Sequence, residues 1–393
     1  MLHKLIDHSP DLKKLRNEGF EVQIKGTLLM VSGVPYLDSE RRVQKGTLVK
    51  ALTIAGEKVV KPNDHVINFI GHHPCNKDGS QMAQLTHSNG NKTLGDGIVV
   101  NRSFSHKPGR NYNDYHEMIS TYVGVISAPV RSLDYSITAQ TYKLVDSELT
   151  DSVFNYPDTN SSRAEIDAVS DKLKALKIGI IGAGGTGSYV LDFVAKTPVA
   201  EIHIFDGDKF LLHNAFRTPG SPSKAQLKRP SKKVAYLHRI YSKMHKGIVP
   251  HDECIDQANI EQLSQFDYVF ICIDKGEIKK QLIDFFKANR ISFSDVGMGI
   301  LVTDNNTIIG HVRVTSAFKG EVDQILSKGR ITFSDGDPED DYSKNIQIAE
   351  LNALNAALAV MKWKAYYGFY GNVENEDNSV FIIDDNSIIN EDA

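Results

Sequence analysis

Short apolar runs broken by turn residues mark the first half of the chain. They are Thr27–Val34, Gly46–Ile54, His65–Gly71 and Gly97–Val100, and the pairs Asn63-Asp64, Asp78-Gly79, Asn89-Gly90 and Asp96-Gly97 separate them. Such pairs favour positive φ or side-chain-closed turns, so the pattern predicts a sheet-rich region. It changes over Tyr112–Ile126, where Tyr115, Ile119, Tyr122 and Val123 recur at three- and four-residue spacing and predict a helix. The polar stretch Thr150–Ser162, with Pro157, Asp158 and several Ser and Asn, then marks a domain boundary.

Beyond that boundary strands and helices alternate. Lys177–Ile181 is a short apolar run ending in glycines, and Ser188–Lys196 reads as a helix. Glu201–Phe205 is a strand ending at Asp206, Val234–Met244 a helix, Tyr268–Ile273 a strand and Lys279–Asn289 a helix. This order predicts βαβ units in a mostly parallel, Rossmann-like sheet with helices on both faces, and places any ligand at the carboxyl ends of the strands. Glu350–Lys364 predicts one more packed helix, and the acidic end, Glu374–Ala393, predicts a tail or one edge strand over Val380–Ile383. The expected organisation is a smaller sheet-rich α+β domain over 1–155, an α/β domain over 160–372 and an acidic tail over 373–393.

Composition narrows the class without naming a function. A chain of 393 residues with 41% hydrophobic and 24% charged residues excludes a largely disordered or collagen-like protein and favours two domains. The net charge of -4 gives no global argument for nucleic acid or a membrane surface as partner. The three cysteines, Cys75, Cys254 and Cys272, are too few and scattered for a disulfide framework or paired CxxC zinc site. No run reaches the roughly 18 to 20 apolar residues of a membrane helix, and Met1–Lys14 does not read as a secretory signal. A cytoplasmic location is the expectation.

The chemistry concentrates after the boundary. Gly182-Ala-Gly184-Gly185-Thr-Gly187-Ser188 follows a predicted strand and opens a predicted helix. Gly182 permits the tight turn, Gly184 removes a Cβ that would block a phosphate, and Gly187 allows helix and strand to pack closely. Amides at the helix start then face an anion. Asp206, nineteen residues after Gly187, stands where a carboxylate would bond a ribose hydroxyl. These residues predict a nucleotide and leave NAD and ATP both open. Asp208 adds a second carboxylate just beyond the strand, and Asn214 and Arg217 follow, with the pair Lys232-Lys233 shortly after; this density of Arg and Lys cations suits a triphosphate and the charge developing on a leaving pyrophosphate. Asp274, at the end of the third strand, suits Mg²⁺, which takes one or two carboxylates plus phosphate oxygens.

Over roughly Ser162–Tyr370 the chain resembles the ThiF/MoeB-type adenylating enzymes, whose nucleotide-binding core is shared with ubiquitin-activating E1 enzymes. The resemblance rests on the glycine turn, Asp206-Gly-Asp208, His213-Asn-Ala-Phe-Arg217, the downstream lysine and Asp274. It implies ATP with Mg²⁺, with Asp206 on the ribose, Asn214, Arg217 and Lys233 on phosphates, and Asp274 on the metal near the reacting carboxylate. It also implies a homodimer in which Arg163 reaches the partner's ATP, and a protein substrate, ubiquitin-like or a sulfur carrier, with a free C-terminal tail. An E2-like partner is a further implication. The amino-terminal half looks like a domain fused to such cores in bacterial ubiquitin-like modification operons. The chain departs from the pattern in carrying Thr218 where the family has glutamine, and in lacking both the paired CxxC motifs and any cysteine beyond Asp274.

Three readings are open for His72-His73-Pro74-Cys75: a thiolate that accepts or relays an acyl group, a metal site, or a turn with ordinary histidines and a buried thiol. Cys272 reads as a core residue, and Cys254 as the other candidate thiol. Phe104–Arg110, with Tyr112 and Tyr115, mixes aromatics and cations but lacks the broad basic footprint of a nucleic-acid site. The expected activity is adenylation of a protein's C-terminal carboxylate. The rivals are an NAD(P)-dependent oxidoreductase and a degenerate nucleotide-binding interaction module.

Overall fold

The computed structural model describes residues 2–56, 58–145, 152–333, 346–371 and 376–392. Two compact units emerge, one of residues 1–150 and 156–164, the other of residues 151–155 and 165–393. The stretch read as a linker is thus divided. Asn155 N donates to Met244 O at 2.8 Å and the Phe154 ring meets the His245 ring edge-on, which ties 152–155 to the second unit.

The first unit opens with α1 (Leu2–His8) and α2 (Pro10–Asn17). Its antiparallel sheet runs β1 (Glu21–Lys25), β2 (Leu28–Leu37), β3 (Val43–Ala51), β6 (Val66–Ile70), β8 (Val99–Ser105), β7 (Thr86–Thr93), with β4 (Thr53–Ala55) and β5 (Lys58–Val60) forming a separate hairpin. α3 (Tyr115–Arg131) begins where the Asp114 side chain accepts the Glu117 N–H at 2.7 Å, a helix N-cap. It runs past Ile126 because Ser127 and Val130 continue its buried face. Tyr115, Met118, Ile119, Tyr122 and Ile126 share one apolar core with Tyr36, Leu48, Ile67, Phe69 and Phe104. Tyr112 and Tyr115 therefore belong to the core rather than to an aromatic and basic surface. α4 (Thr159–Arg163) closes the unit.

The second unit is α/β. After α5 (Asp167–Ser170) come β9 (Lys177–Ile181), α6 (Gly185–Val194), β10 (Glu201–Phe205), α7 (Lys224–Leu227), α8 (Lys233–Tyr241), β11 (Ile248–His251), β12 (Tyr268–Ile271) and α9 (Gly276–Asn289). β13 (Ser292–Val302), β14 (Ile308–Ala317), α10 (Asp323–Ser327), α11 (Ala349–Tyr366), β15 (Glu376–Ile382) and β16 (Ser387–Asp392) complete it. The sheet order is β11-β10-β9-β12-β13-β14-β15-β16, parallel from β11 to β13 and antiparallel beyond. Alternation along the strands splits the core. Ile178, Ile180, Ile202 and Ile204 pack with α6, α8 and α11, whereas Ile181, Phe205, Val269 and Ile271 pack with α9 and α10. This is the Rossmann-like, doubly wound arrangement, and its order changes direction beside β9, the place where sheets of this kind take a ligand.

The acidic end is not a tail. Residues 376–392 form β15 and β16, which extend the sheet from β14. The charged flank is accommodated because Asp377 pairs with Arg330 and the Asn378 carboxamide oxygen accepts the Thr315 hydroxyl at 2.7 Å. The β13–β14 hairpin was also absent from the sequence expectation.

Candidate functional site

The crevice beside β9 is built first from backbone. Gly182 holds φ +94, and a Cβ there would lie 2.5 Å from the Cys272 carbonyl oxygen, so the turn packs directly on the chain leaving β12. At Gly187 a Cβ would meet the Gly182 oxygen at 1.8 Å, which is the close helix–strand approach that only glycine permits. At Gly185 it would meet the Asn352 side chain at 2.2 Å. Gly184 differs: nothing lies within 4 Å of its missing Cβ. As the N-cap of α6 it offers the first turn no side-chain cap, so an open cradle faces unsatisfied amides.

Asp206 ties this turn to the next loop. Its Oδ2 accepts the Ala183 N–H and its Oδ1 the Asp208 N–H, both at 2.8 Å, and it is 8% exposed. Lys233, at the start of α8, reaches Asp206 Oδ2 at 3.2 Å and Asp208 Oδ2 at 2.8 Å. The hydrogen bond from Lys233 holds the exposed Asp208 carboxyl below its usual value. The other lysine of the pair, Lys232, donates to Gly207 O at 2.7 Å and pairs with Asp252 at 2.9 Å.

Asn214 and Arg217 supply donors with nothing to bind. Asn214 is 1% exposed; its Oδ1 accepts the Leu211 N–H at 2.8 Å, and its Nδ2 is buried with no partner. Arg217 Nε is buried and unpartnered in the same way. Buried donors are normally satisfied, so two orphaned donors three residues apart are a feature that a bound anion would explain. Thr218, in place of the expected glutamine, donates its hydroxyl to Asn214 O at 2.9 Å and braces this turn. Asn352 of α11 links the two halves: its Oδ1 accepts the Thr186 hydroxyl at 2.9 Å and its Nδ2 makes a long 3.5 Å contact with Arg217 O. Sequence reading missed Asn352, although two asparagines at i and i+3 on the buried face of an Ala- and Leu-rich helix are a legible signal.

Asp274 is exposed in the loop between β12 and α9, two residues beyond the Cys272 carbonyl on which Gly182 packs. Among the described residues no three His, Cys, Asp or Glu side chains converge as a metal site. A cation here would take one protein carboxylate and fill its shell with phosphate oxygens and water, a donor set that suits Mg²⁺. A second carboxylate was not anticipated. Asp295 of β13, level with Ile271, is fully buried between Lys279 at 2.9 Å and Arg313 at 2.6 Å.

Cys75, Cys272, Cys254 and Arg163 complete the candidate residues. Cys75 is 1% exposed, its thiol donates to His73 O at 3.3 Å, and burial pushes its pKa up. His73 is engaged with Pro74 O and the Thr86 hydroxyl, both at 2.8 Å. The motif is a turn around a buried thiol, and an acyl acceptor at Cys75 is corrected on that ground: the sulfur is neither ionised nor reachable. Cys272 is raised by burial, beneath the glycine turn. Cys254 is exposed and borders Gly207, where an added Cβ would lie 3.1 Å from its Sγ. Arg163 ends α4 in the first unit, with its side chain exposed.

Residues 160–362, just over half of the chain, match the model of the ThiF family. The chain belongs to the ThiF family. Ahead of the ThiF region, residues 10–159 match a family described only as a domain of unknown function (DUF6791). The chain is similar to tRNA threonylcarbamoyladenosine dehydratase of Haemophilus influenzae, with 27% identity over 165 residues, 40% of this chain and 60% of that protein. It is similar to ubiquitin-like modifier-activating enzyme 5 of Drosophila mojavensis at 22% over 158 residues, 36% of this chain and 37% of that one. The chain thus spans less than two thirds of each relative. Similar solved structures include E. coli MccB with succinimide, at 17% identity, TM-score 0.44 and coverage of 60% and 72%. PaaA follows at 15% identity, TM-score 0.47 and coverage of 77% and 97%.

Proposed function

We propose that the second unit uses ATP and Mg²⁺ to adenylate the C-terminal carboxylate of a ubiquitin-like or sulfur-carrier protein. The observation that carries this reading is the pair of buried, unpartnered donors, Asn214 Nδ2 and Arg217 Nε, linked through Asn352 to the glycine turn with its open Gly184 cradle. A dinucleotide's pyrophosphate would be served by the helix start alone, whereas a triphosphate calls for these further donors. Similarity to a ubiquitin-like modifier-activating enzyme supports a protein substrate.

In this reading a carboxylate oxygen attacks the α-phosphorus, the bond to the bridging oxygen breaks, and pyrophosphate leaves with the electron pair. An acyl-adenylate remains. The chain contributes position and charge: the turn amides and Gly184 admit the phosphates, Asn214 and Arg217 hold them, and Asp206 offers a remaining lone pair to a ribose hydroxyl. Lys233 reaches a phosphate only by sharing itself with Asp206 and Asp208. Magnesium, held at Asp274, would neutralise phosphate charge. A homodimer with Arg163 of one copy serving the other belongs to the same proposal.

The test is ATP–pyrophosphate exchange with purified candidate carriers bearing free C-terminal tails, with a tRNA arm because one relative carries a tRNA-modifying name. Exchange that requires a carrier's free C-terminus supports the reading. Saturable NADH binding without exchange reverses it in favour of an oxidoreductase. ATP binding without exchange by any substrate leaves an interaction module.

A further inference from the structure

We propose that the first unit carries an oxyanion-binding cleft centred on Arg102, which takes a carboxylate or a phosphate group. This is independent of the nucleotide reading, since every residue involved lies outside the ThiF region.

The cleft, of about 400 Å³, is walled by the end of β6, by β8 and by an irregular stretch of β7. Between the pairs Asn89↔Arg102 and Lys92↔Val100 the register shifts, so Gly90 and Asn91 face the single residue Asn101. Such a bulge bends a strand away from its neighbour and re-aims side chains. The walls are then fixed by hydrogen bonds. Asn101 Oδ1 accepts the Gly71 N–H at 2.9 Å, Asn101 Nδ2 donates to Asn91 Oδ1 at 3.1 Å, and Arg102 Nε donates to Gly71 O at 3.2 Å.

Arg102 is the feature that asks for a ligand. It is half-buried, and among the described residues no carboxylate lies within 4.0 Å of it. Burial pushes its pKa down, and the groups near enough to oppose this are the Tyr36 phenol and the Cys75 thiol. Burial raises both of those, so both are neutral at pH 7. A desolvated guanidinium normally has an anionic partner, and its planar fork matches the oxygens of a carboxylate or phosphate. The other polar lining groups are the exposed His72 imidazole and the carboxamides of Asn89, Asn91 and Asn101, with no acidic side chain. A built cleft with one cation, amide donors and no counter-ion is suited to an anion from outside the chain.

The experiment is isothermal titration of the full chain in an anion-poor buffer with inorganic phosphate, with diglycine, and with the neutral-ended diglycine amide. Phosphate or diglycine should bind, and binding should weaken at least about tenfold in Arg102→Gln, as loss of a charge-assisted partner demands. Asn91→Asp, at an exposed position, should weaken it similarly by supplying the missing carboxylate, and it decides the matter alone if Arg102→Gln does not fold. Binding should persist in Arg217→Ala, which separates this cleft from the nucleotide crevice. Binding of phosphate alone assigns a phosphate-bearing ligand, and of diglycine alone a carboxylate. The proposal is overturned by absence of binding, by equal binding of diglycine and its amide without phosphate binding, or by dependence on Arg217 instead of Arg102.

Discussion

Lys233 Nζ lies 3.2 Å from Asp206 Oδ2, and the same nitrogen lies 2.8 Å from Asp208 Oδ2. One buried lysine therefore couples the loop after β10 to the start of α8, and through Asp206 to the glycine turn. Replacing it with methionine removes the charge but keeps the volume. The expected cost is about 1.5–3 kcal/mol, that of a hydrogen bond to a charged group, with loss of pyrophosphate exchange. Denaturant unfolding and exchange assays on Lys233→Met check both, and full exchange would remove Lys233 from the mechanism.

The same contact sets a pH dependence. Asp208 is held below its ordinary carboxyl value by Lys233, so folding favours its ionised form. Its contribution is fully present above the unfolded value of about 4 and is lost as pH falls through the lower folded value. Wild type should exceed Asp208→Asn in stability at pH 7, and the gap should close in acid. A gap that widens below about pH 4 would contradict the ion pair.

Two glycines of one turn should fail differently. A methyl group at Gly184 meets open space, so Gly184→Ala should fold at a cost of no more than about 1 kcal/mol, that of alanine at an N-cap, while losing nucleotide affinity. At Gly187 the methyl group would lie 1.8 Å from the Gly182 oxygen, and overpacking against backbone should cost about 1–3 kcal/mol or more. Calorimetric ATP titration and thermal unfolding separate the two. Undiminished affinity in Gly184→Ala would mean the cradle holds no phosphate.

The βαβ part was legible because its signals are local. Lys177–Ile181 and Glu201–Phe205 have the same bounds in the sequence reading and in β9 and β10, since an apolar run, a glycine turn and a helix each occupy a few consecutive residues. The β13–β14 hairpin was not legible. Its strands carry Gly297, Gly299 and Gly310 and bury Ser294, Asp295, Thr315 and Ser316, which read as loop until their partners arrive from elsewhere. The same holds for β15, whose Asp377 and Asn378 are satisfied by Arg330 and Thr315, residues far away in sequence. In the site, the glycines and acids could be read from spacing. That Cys75 is buried, and which groups the Asn352 side chain bonds, depends on tertiary packing.

Thiol accessibility offers a direct check on the corrected cysteine. Cys254 is exposed, Cys75 is buried and bonded to His73 O, and Cys272 is raised by burial beneath the turn. Brief alkylation of the native protein should modify Cys254 first, the partly buried Cys272 more slowly and Cys75 only in denaturant, as peptide mass spectrometry would read. Rapid native labelling of Cys75 would reopen it as an acyl acceptor.

Asp274 and Asp295 are both carboxylates at the carboxyl edge of the sheet, and their surroundings predict opposite phenotypes. Asp274 is exposed, so Asp274→Asn should fold yet abolish exchange or raise the Mg²⁺ concentration it requires. Asp295 is fully buried between Lys279 and Arg313, and neutralising it leaves two cations facing each other without their shared anion. Removing one partner of such a cluster costs about 3–5 kcal/mol, so Asp295→Asn should unfold at markedly lower denaturant. Reversed phenotypes, with Asp295→Asn stable but inactive and Asp274→Asn active, would move the catalytic carboxylate from the loop to β13.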